Sequence, residues 1–297
     1  MGYSSRYHAA SLAAVFFALG IGILIGAALG SDIVSGTADN LERDLGEDLD
    51  RLRAENGDLA EELQAEREFQ ELIVPAVTAG RLPRQEVALI ALGVTDTQQI
   101  TADLKAALTP AGAELVEVAN VGEPPNTDEL IDLLGSGTGG GAKRAEDLRL
   151  ASERAGKLLI GQGSGLDDLL GALVTGFKGE AKSIDAAVVV RASSDDLTAR
   201  EASDTNVLEV GLINGMRDAG VRVIGAERSD VAESSIEALE DLGLTTVDNI
   251  EQLPGRVSLV LALDGSEGSF GMKETADSLL PDLIGEGEPR PSSDARR

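Results

Sequence analysis

Almost no side chain in this 297-residue chain could act as a thiolate nucleophile, as an imidazole base or as a ligand for a soft metal. There is no cysteine, and the single histidine, His8, lies at the start of a long apolar stretch. Residues after position 8 therefore cannot form a Ser-His-Asp triad, a thiolate nucleophile or a zinc site with His or Cys ligands. Beyond the initiator, the only sulfur ligands are Met216 and Met272.

Two pairs of adjacent carboxylates, Asp167-Asp168 and Asp195-Asp196, are candidates for acid–base catalysis or for binding Mg²⁺ or Ca²⁺. A general acid and its base must face one cavity, which adjacency in sequence does not provide. Acids in the first turn of a helix instead stabilise its dipole and cap its free N–H groups. We favour this structural interpretation, since no EF-hand pattern accompanies either pair.

The segment KLLIGQGSGLDDLLGAL could form a phosphate-binding turn. It predicts a strand at 158–160, then glycines at 161, 163 and 165, and then a helix. Backbone N–H groups in such a turn cradle an anion at the start of the helix. Leu166 stands where a dinucleotide fingerprint needs its last glycine. A plain tight turn is therefore the favoured interpretation, and nucleotide binding is the alternative.

The segment GSFGMKETADSLLPD, at 268–282, follows the last predicted strand. The favoured interpretation is a closing helix that places Leu279 and Leu280 in the core. The alternative is a functional loop formed by Met272, Lys273 and Glu274, which lie next to a glycine, because loops often carry function.

Composition limits the partners of this chain. Its formal net charge is −27, and such a field repels nucleic-acid phosphates. Aromatic residues make up 2% of the sequence and tryptophan is absent, so stacking platforms for bases are not expected. The acidity favours solubility, with diffuse binding of divalent cations as the alternative. We expect no nucleic-acid partner.

The elements that must position these residues alternate between strands and helices from about position 84 onward. Five apolar runs predict strands buried on both faces of a parallel sheet: EVALIALGV, AELVEV, DAAVVVRA, VRVIGA and RVSLVLALDG. Helices ending at glycines are predicted for TQQITADLKAALTPAG, NVLEVGLINGMRDAG and SSIEALEDLG. This alternation predicts a doubly wound, mostly parallel α/β domain.

The N-terminal part predicts a membrane anchor. Residues 9–30 are uncharged and form a helix of roughly 33 Å, enough to cross a hydrocarbon core of about 30 Å. A cleaved signal peptide is the alternative, but its apolar region spans only about 7–15 residues. An anchor this close to the N-terminus leaves a short cytoplasmic tail, so we expect a single-pass cell-membrane protein with its bulk outside the cytoplasm.

A heptad pattern follows the anchor and predicts a coiled coil. The a and d positions carry Leu45, Leu49, Leu52, Asn56, Leu59 and Leu63. The g and e positions carry Asp48, Arg53, Glu62 and Arg67. In a parallel homodimer Asp48 would pair with Arg53 of the other chain, and an Asn at an a position fixes register. A helix from another protein, or an ordinary amphipathic helix packed on its own domain, is the alternative.

The predicted organisation has five parts. A tail at 1–8 precedes the anchor at 9–31, the coiled-coil stalk at 38–73 and the α/β domain at 84–284, and a disordered tail follows at 285–297. A flexible glycine-rich loop at 135–141 interrupts the domain.

Two end motifs and the stalk give the chain a family resemblance. The segments SSRYHAASLAAVFFALGIGILIG and TTVDNIEQLPGRVSLVLAL…GMKETADSLLP resemble the actinobacterial copper-transporter family (mycobacterial copper transport protein B-like). The resemblance implies a non-enzymatic envelope protein for copper transport or homeostasis. It also implies the alternative of a scaffold whose stalk recruits or regulates a cell-wall hydrolase at the septum.

Copper binding is implied by this resemblance alone. Cu(I) favours Cys and Met sulfur and Cu(II) favours imidazole, and this chain offers too few of either for a copper cluster. A copper role would therefore be indirect, carboxylate-based or dependent on an assembly.

Overall fold

The structure is a computed structural model that describes residues 5–135, 142–161, 163–179, 183–192, 197–231 and 233–282. Its contacts divide the chain into two compact units, residues 1–69 and 70–297. The helices are α1 (Ser5–Thr78), α2 (Gln98–Ala111), α3 (Thr127–Leu134), α4 (Ala142–Leu159), α5 (Leu166–Leu173), α6 (Ala199–Asp218), α7 (Ile236–Asp241) and α8 (Leu253–Asp264). The strands are β1 (Glu86–Leu92), β2 (Glu114–Val121), β3 (Val174–Gly179), β4 (Ala186–Arg191), β5 (Arg222–Ala226), β6 (Thr245–Val247) and β7 (Ser269–Phe270).

The first unit consists of one helix, the long N-terminal part of α1. Within it, Tyr7–Ala27 is long and apolar enough to cross a membrane, and none of that segment is buried against the rest of the chain. The predicted apolar helix at 9–30 is therefore confirmed as a helix. The helix continues without a break through the predicted stalk, because Pro75, its only internal proline, lies in its last turn.

The second unit is built on a seven-stranded sheet with the order β3-β2-β1-β4-β5-β6-β7. Every neighbouring pair is parallel except β2 with β3, which is antiparallel. The expectation of a mixed α/β unit with a mostly parallel sheet is confirmed.

Both faces of this sheet are buried, as the uninterrupted apolar runs require. Along β1, Ala88, Ile90 and Leu92 face one core, which also contains residues of α4, α5 and α6. The alternate residues Val87 and Leu89 face a second core with α2 and α8. Side chains alternate across a strand, so a continuous apolar run feeds both cores.

Four of the five predicted strands are confirmed as β1, β2, β4 and β5, and the three named helices as α2, α6 and α7. The strand predicted for RVSLVLALDG is wrong, because these residues form most of α8. Pro254 lies in the first turn of α8 and Gly265 caps its end, both typical helix boundaries. Nearly every residue between them is buried, so the run lacks the polar face that marks an amphipathic helix.

The strand predicted at 158–160 is also wrong, since α4 continues through Leu159. Gly161, Gly163 and Gly165 have positive φ angles and join α4 to α5, so they form a helix–helix turn. Asp167 and Asp168 lie in the first turn of α5, as the capping interpretation predicts. Three predictions fall outside the described residues: the Asp195-Asp196 pair, nearly all of the glycine-rich loop, and the tail.

Helices α4 and α6 approach each other closely because glycines line their contact. A Cβ atom added to Gly215 would lie 2.1 Å from the carbonyl oxygen of Glu153. A Cβ atom on Gly156 would lie 2.2 Å from the carbonyl oxygen of Leu212. Only glycine allows the two backbones to come this near.

Candidate functional site at the carboxyl edge of the sheet

The parallel strands end together at one edge, which we call the carboxyl edge. Strands β1 and β4 are neighbours although β2 and β3 come between them in sequence, so the strand order reverses between β1 and β4. In open α/β sheets ligands bind outside the carboxyl ends of the strands at such a reversal. We therefore take the carboxyl edge as the candidate site.

A buried carboxylate, Glu227, follows β5 directly at this edge. Its side chain is 2% exposed and forms an ion pair with the ammonium group of Lys273. The Ser234 hydroxyl donates to one carboxylate oxygen at 2.8 Å, and the Ser235 hydroxyl donates to the other at 3.0 Å. Glu227 thus has the partners that a buried charge requires.

A second buried carboxylate, Asp248, follows β6. It accepts hydrogen bonds from the backbone N–H groups of Met272, at 2.8 Å, and Lys273, at 2.9 Å. A Cβ atom on Gly271 would lie 2.0 Å from an Asp248 oxygen, so this approach depends on glycine. Glu227 and Asp248 together fix the loop that follows β7.

Arg228 belongs to a charge network that joins two helices to the end of β5 at the same edge. Its guanidinium pairs with Asp103 of α2 and with Asp230, whose oxygen lies 2.9 Å from Arg228 Nε. The bond from Arg228 lowers the pKa of Asp230 below its usual value. Arg256 of α8 lies 3.7 Å from the same Asp103 carboxylate. The network connects α2, the end of β5 and α8.

Arg191, the last residue of β4, donates from its Nε to both carboxylate oxygens of Glu209, at 2.9 Å and 3.1 Å. Burial raises the pKa of Glu209 above its usual value, and the Arg191 charge opposes part of that rise. This pair lies beside the reversal of strand order and joins β4 to α6.

Two cavities lie at this edge, one on each side of the start of α2. The first lies at the reversal of strand order, and we call it the switch-point cavity. It has a volume of about 310 Å³, and its walls include Asp96, Ile100, Val190, Arg191, Ala226 and Arg228. The α2 cavity has a volume of about 530 Å³, and its walls include Thr95, Thr97, Thr101, Asn120, Gly176 and Lys178. Both volumes are in the range of small-molecule sites, roughly 300–1,000 Å³.

The described side chains provide no ready metal centre. Across the described ranges, no three His, Cys, Asp or Glu side chains lie where they could hold one ion. Glu227, Asp248 and Asp103 all bond to cations or N–H groups of the protein itself. These contacts position the loops and helices at the edge.

The candidate loop at 272–274 lies at the carboxyl edge. Lys273 pairs with Glu227, whereas Met272 is 60% exposed and Glu274 is also exposed. The favoured interpretation of a closing helix is wrong, because this segment forms turns and Leu279 is 47% exposed. Met216, in contrast, is fully buried in the core.

The predicted coiled-coil positions lie along one exposed part of α1. Their leucines are 50–56% exposed: Leu45, Leu49, Leu52, Leu59 and Leu63. Asn56 Nδ2 donates to the Leu52 carbonyl oxygen at 2.9 Å. The predicted interchain charges make local contacts instead, since Asp48 pairs with Arg51 and Arg53 with Asp50. Glu62 and Arg67 are exposed.

Sequence reasoning missed the edge residues Glu227, Arg228 and Asp248. Glu227 and Asp248 directly follow the strands VRVIGA and TTV, and Arg228 comes one residue after Glu227. Charged residues immediately after a buried strand are a usable signal, because parallel strands end at one edge. Asp103 had no such signal, because its role depends on where α2 crosses the sheet.

Comparison with known proteins assigns the family. Residues 3–281 match the family model described as "Copper transport outer membrane protein, MctB". The chain is 26% identical to the "Copper transporter MctB" of Mycobacterium bovis over 93% of this chain and 98% of that protein. The same values hold for the Mycobacterium tuberculosis proteins of that name. The chain therefore belongs to the MctB copper transport protein family.

Proposed function

We propose that this chain is a membrane-anchored envelope protein that takes part in copper transport or homeostasis without catalysing a reaction. The observation that carries the proposal is the match over residues 3–281, which spans the apolar helix, the charged helix and the α/β unit. Relatives matched over nearly their whole length are named copper transporters. A resemblance confined to one common fold would carry much less weight.

The proposed anchor is the segment Tyr7–Ala27, which would cross the cell membrane once. The α/β unit would then lie outside the cytoplasm. The family description names the outer membrane, so fractionation that separates the two membranes tests the location directly. Helices on both faces of the sheet and the reversal between β1 and β4 support a doubly wound topology.

Copper would be the cargo of this protein. Cu(I) favours sulfur ligands, and Met272 is the exposed methionine of the α/β unit, on a loop fixed by Glu227 and Asp248. One thioether cannot complete a copper site, so we propose that copper is handled by an assembly. Met272 would then act together with ligands from a second chain, or with exposed carboxylates of this acidic protein.

We propose that the stalk forms this assembly as a parallel pair. The exposed leucines of α1 form an apolar stripe, and no described residue packs over it. In a parallel register Asp48 faces Arg53 of the second chain and Glu62 faces Arg67, whereas an antiparallel pairing would bring like charges together. Anchors in one membrane also require both stalks to point the same way. A helix of another protein remains the alternative occupant.

Growth and copper content of a deletion strain test the proposal. We expect the strain to differ from its parent in copper tolerance and in cell-associated copper measured by mass spectrometry. The full chain should restore the parent values, and a chain lacking residues 5–30 should not. A deletion strain with normal tolerance and normal copper content would contradict the proposal.

Met272→Leu tests the cargo site more sharply, because leucine has a similar volume and no sulfur. Cu(I) titration of the full-length protein should show weaker binding in this variant. Met216→Leu is the matched control, since Met216 is buried in the core. Equal Cu(I) affinity in all three proteins would exclude Met272 as a ligand.

A further inference from the structure

We propose that two copies of this chain pair through β3, edge to edge and antiparallel, so that their two sheets join into one. Strand β3 is an end strand of the sheet, and its one neighbour is β2. No described residue pairs with its outer side, and Thr175, Lys178 and Gly179 are exposed. An unpaired edge presents backbone N–H and C=O groups that another strand can bind.

The opposite edge of the sheet is covered. Strand β7 has two residues, and the backbone of the turn after it lies along its outer side. There the Asp277 N–H donates to the Ser269 carbonyl oxygen at 2.9 Å, and the Gly271 N–H donates to the Ser278 carbonyl oxygen at 2.9 Å. The described sheet therefore has one open edge. Pairing through one edge per copy gives a closed pair with two-fold symmetry and no filament.

The hydrogen bonds of β2 show which backbone groups of β3 point outward. Gly122, directly after β2, donates its N–H to the Leu173 carbonyl oxygen at 3.4 Å. Alternate residues of a strand bond to the same neighbouring strand, so Asn120 also bonds toward β3, where it lies opposite Gly176. Phe177, the next residue of β3, therefore directs its N–H and C=O away from β2, to the open edge.

The residues of β3 determine the register of the proposed pair. A two-fold axis at Phe177 places this residue opposite Phe177 of the second copy, where the two exchange two backbone hydrogen bonds and form an aromatic pair. Lys178 then lies opposite Gly176 of the second copy, so no like charges face each other. A shift of the axis to Lys178 would oppose two ammonium groups. A shift to Gly176 would place Thr175 opposite Phe177 and lose the aromatic pair.

Charge and packing favour a second copy over an unrelated strand. The chain carries a net charge of −27, which opposes contact between most of its surfaces. Strand β3 has the sequence VTGFKG, with no acidic residue, so two copies of this edge do not bring carboxylates together. Phe177 packs on the core and is only half-buried. Phe177 of a second copy would cover the part that remains exposed.

Disulfide crosslinking of the full chain in lipid nanodiscs tests the register, because the natural chain contains no cysteine. Gly176 and Lys178 of the other copy would form a pair without mutual hydrogen bonds, about 4.5 Å apart at Cα, which a disulfide can bridge. We expect the double variant Gly176→Cys, Lys178→Cys to form covalent dimers with glutathione disulfide, at least tenfold more than either single variant. In the single variants the cysteines would lie about 7–8 Å apart, beyond the reach of a disulfide.

Lys105→Cys, on the exposed surface of α2, is the control for random collisions and should form few covalent dimers. A Cβ atom at position 176 would lie 3.6 Å from Asn120 Nδ2, an ordinary contact, so the cysteine there fits the fold. The stalk is the same in every variant, so a stalk pair alone predicts equal crosslinking. Equal crosslinking in all variants, or none in the double variant, would overturn the proposal.

Hydrogen exchange of the natural sequence gives a second measurement that no substitution can disturb. Nanodiscs that hold one chain are compared with nanodiscs that hold two. We expect the Phe177 N–H to exchange at least tenfold more slowly with two chains, because it then donates to the second copy. The Gly176 N–H, which points to β2, should exchange equally in both. An unchanged rate at Phe177 would show that β3 does not pair with itself.

Discussion

The ammonium group of Lys273 pairs with the buried carboxylate of Glu227 across 46 residues of sequence. Glu227 lies at the end of β5 and Lys273 lies in the loop after β7, so the pair holds this loop against the carboxyl edge of the sheet. Glu227 keeps its serine donors when Lys273 is removed, but its charge then remains buried without a counter-ion.

Lys273→Met should therefore destabilise the α/β unit by about 3 kcal/mol, because removing one partner of a buried ion pair leaves the other uncompensated. Hydrogen exchange of β5 and β6 in the full chain measures the loss. Lys105→Met is the matched control on exposed α2 surface and should stay within about 0.5 kcal/mol of the parent. Equal exchange in the two variants would show that the pair contributes little.

Glu117 should make the stability depend on pH. Its side chain is 1% exposed, neither carboxylate oxygen has a partner among the described residues, and burial raises its pKa from 4.5 to about 7. The folded chain holds this proton more tightly than the unfolded chain. The stabilisation is full below pH 4.5 and is lost as the pH rises to about 7, at a cost of about 3 kcal/mol.

Glu117→Gln removes this titration and keeps the shape of the side chain. The difference in unfolding free energy between parent and variant should change by about 3 kcal/mol between pH 4 and pH 8. The parent should become less stable relative to the variant as the pH rises. Urea unfolding followed by hydrogen exchange of β2 gives the measurement. Parallel pH profiles for the two proteins would show that Glu117 is charged or solvated in the folded state.

Gly215→Ala should separate α4 from α6, because its new Cβ atom would lie 2.1 Å from the Glu153 carbonyl oxygen. We expect a destabilisation of about 1–3 kcal/mol, typical of overpacking. Gly171→Ala in α5 is the control, since nothing lies within 4 Å of its added Cβ atom. It should stabilise the chain by up to about 1 kcal/mol. Thermal unfolding of both variants distinguishes the outcomes, and a neutral Gly215→Ala would contradict the close contact.

Asn56→Leu should change the oligomeric state or the partner of the stalk and leave the α/β unit folded. An Asn at an a position specifies register and strand number at some cost in stability, and leucine removes that restriction. Light scattering gives the mass, and capture of partner proteins gives the pairing preference. Unchanged mass together with unchanged capture would speak against a coiled coil.

The success of the sequence predictions depended on how strongly a local pattern distinguishes helix from strand. Apolar runs of five to eight residues identified β1, β4 and β5, because buried parallel strands have that composition. The run in α8 failed because a helix buried on all sides also lacks periodicity. Strands as short as β6 and β7, with three and two residues, leave almost no pattern to detect.

The contacts at the carboxyl edge could not be predicted, because they depend on strand order. Asp103 and Arg228 are 125 residues apart and meet only because α2 crosses beside β5. Likewise, Asn120 acquires its cavity from Gly176 of an antiparallel neighbour that no pattern predicted. Lys273 and Met272 were identified as loop residues, but the buried carboxylate that holds Lys273 was not.

The sheet is completed by the last part of the chain, and this has a consequence for biosynthesis. Strand β7 pairs with β6, and the turn after it bonds to Asp248 and Glu227. The β6 edge and these two carboxylates therefore gain these partners only after residues 269–273 have been synthesised. A nascent or truncated chain that ends earlier exposes the β6 edge and leaves Glu227 without its counter-ion and Asp248 without two of its N–H donors. Such a chain should unfold more readily than the full-length protein, so quality control by proteolysis would favour copies that contain β7 and the turn after it.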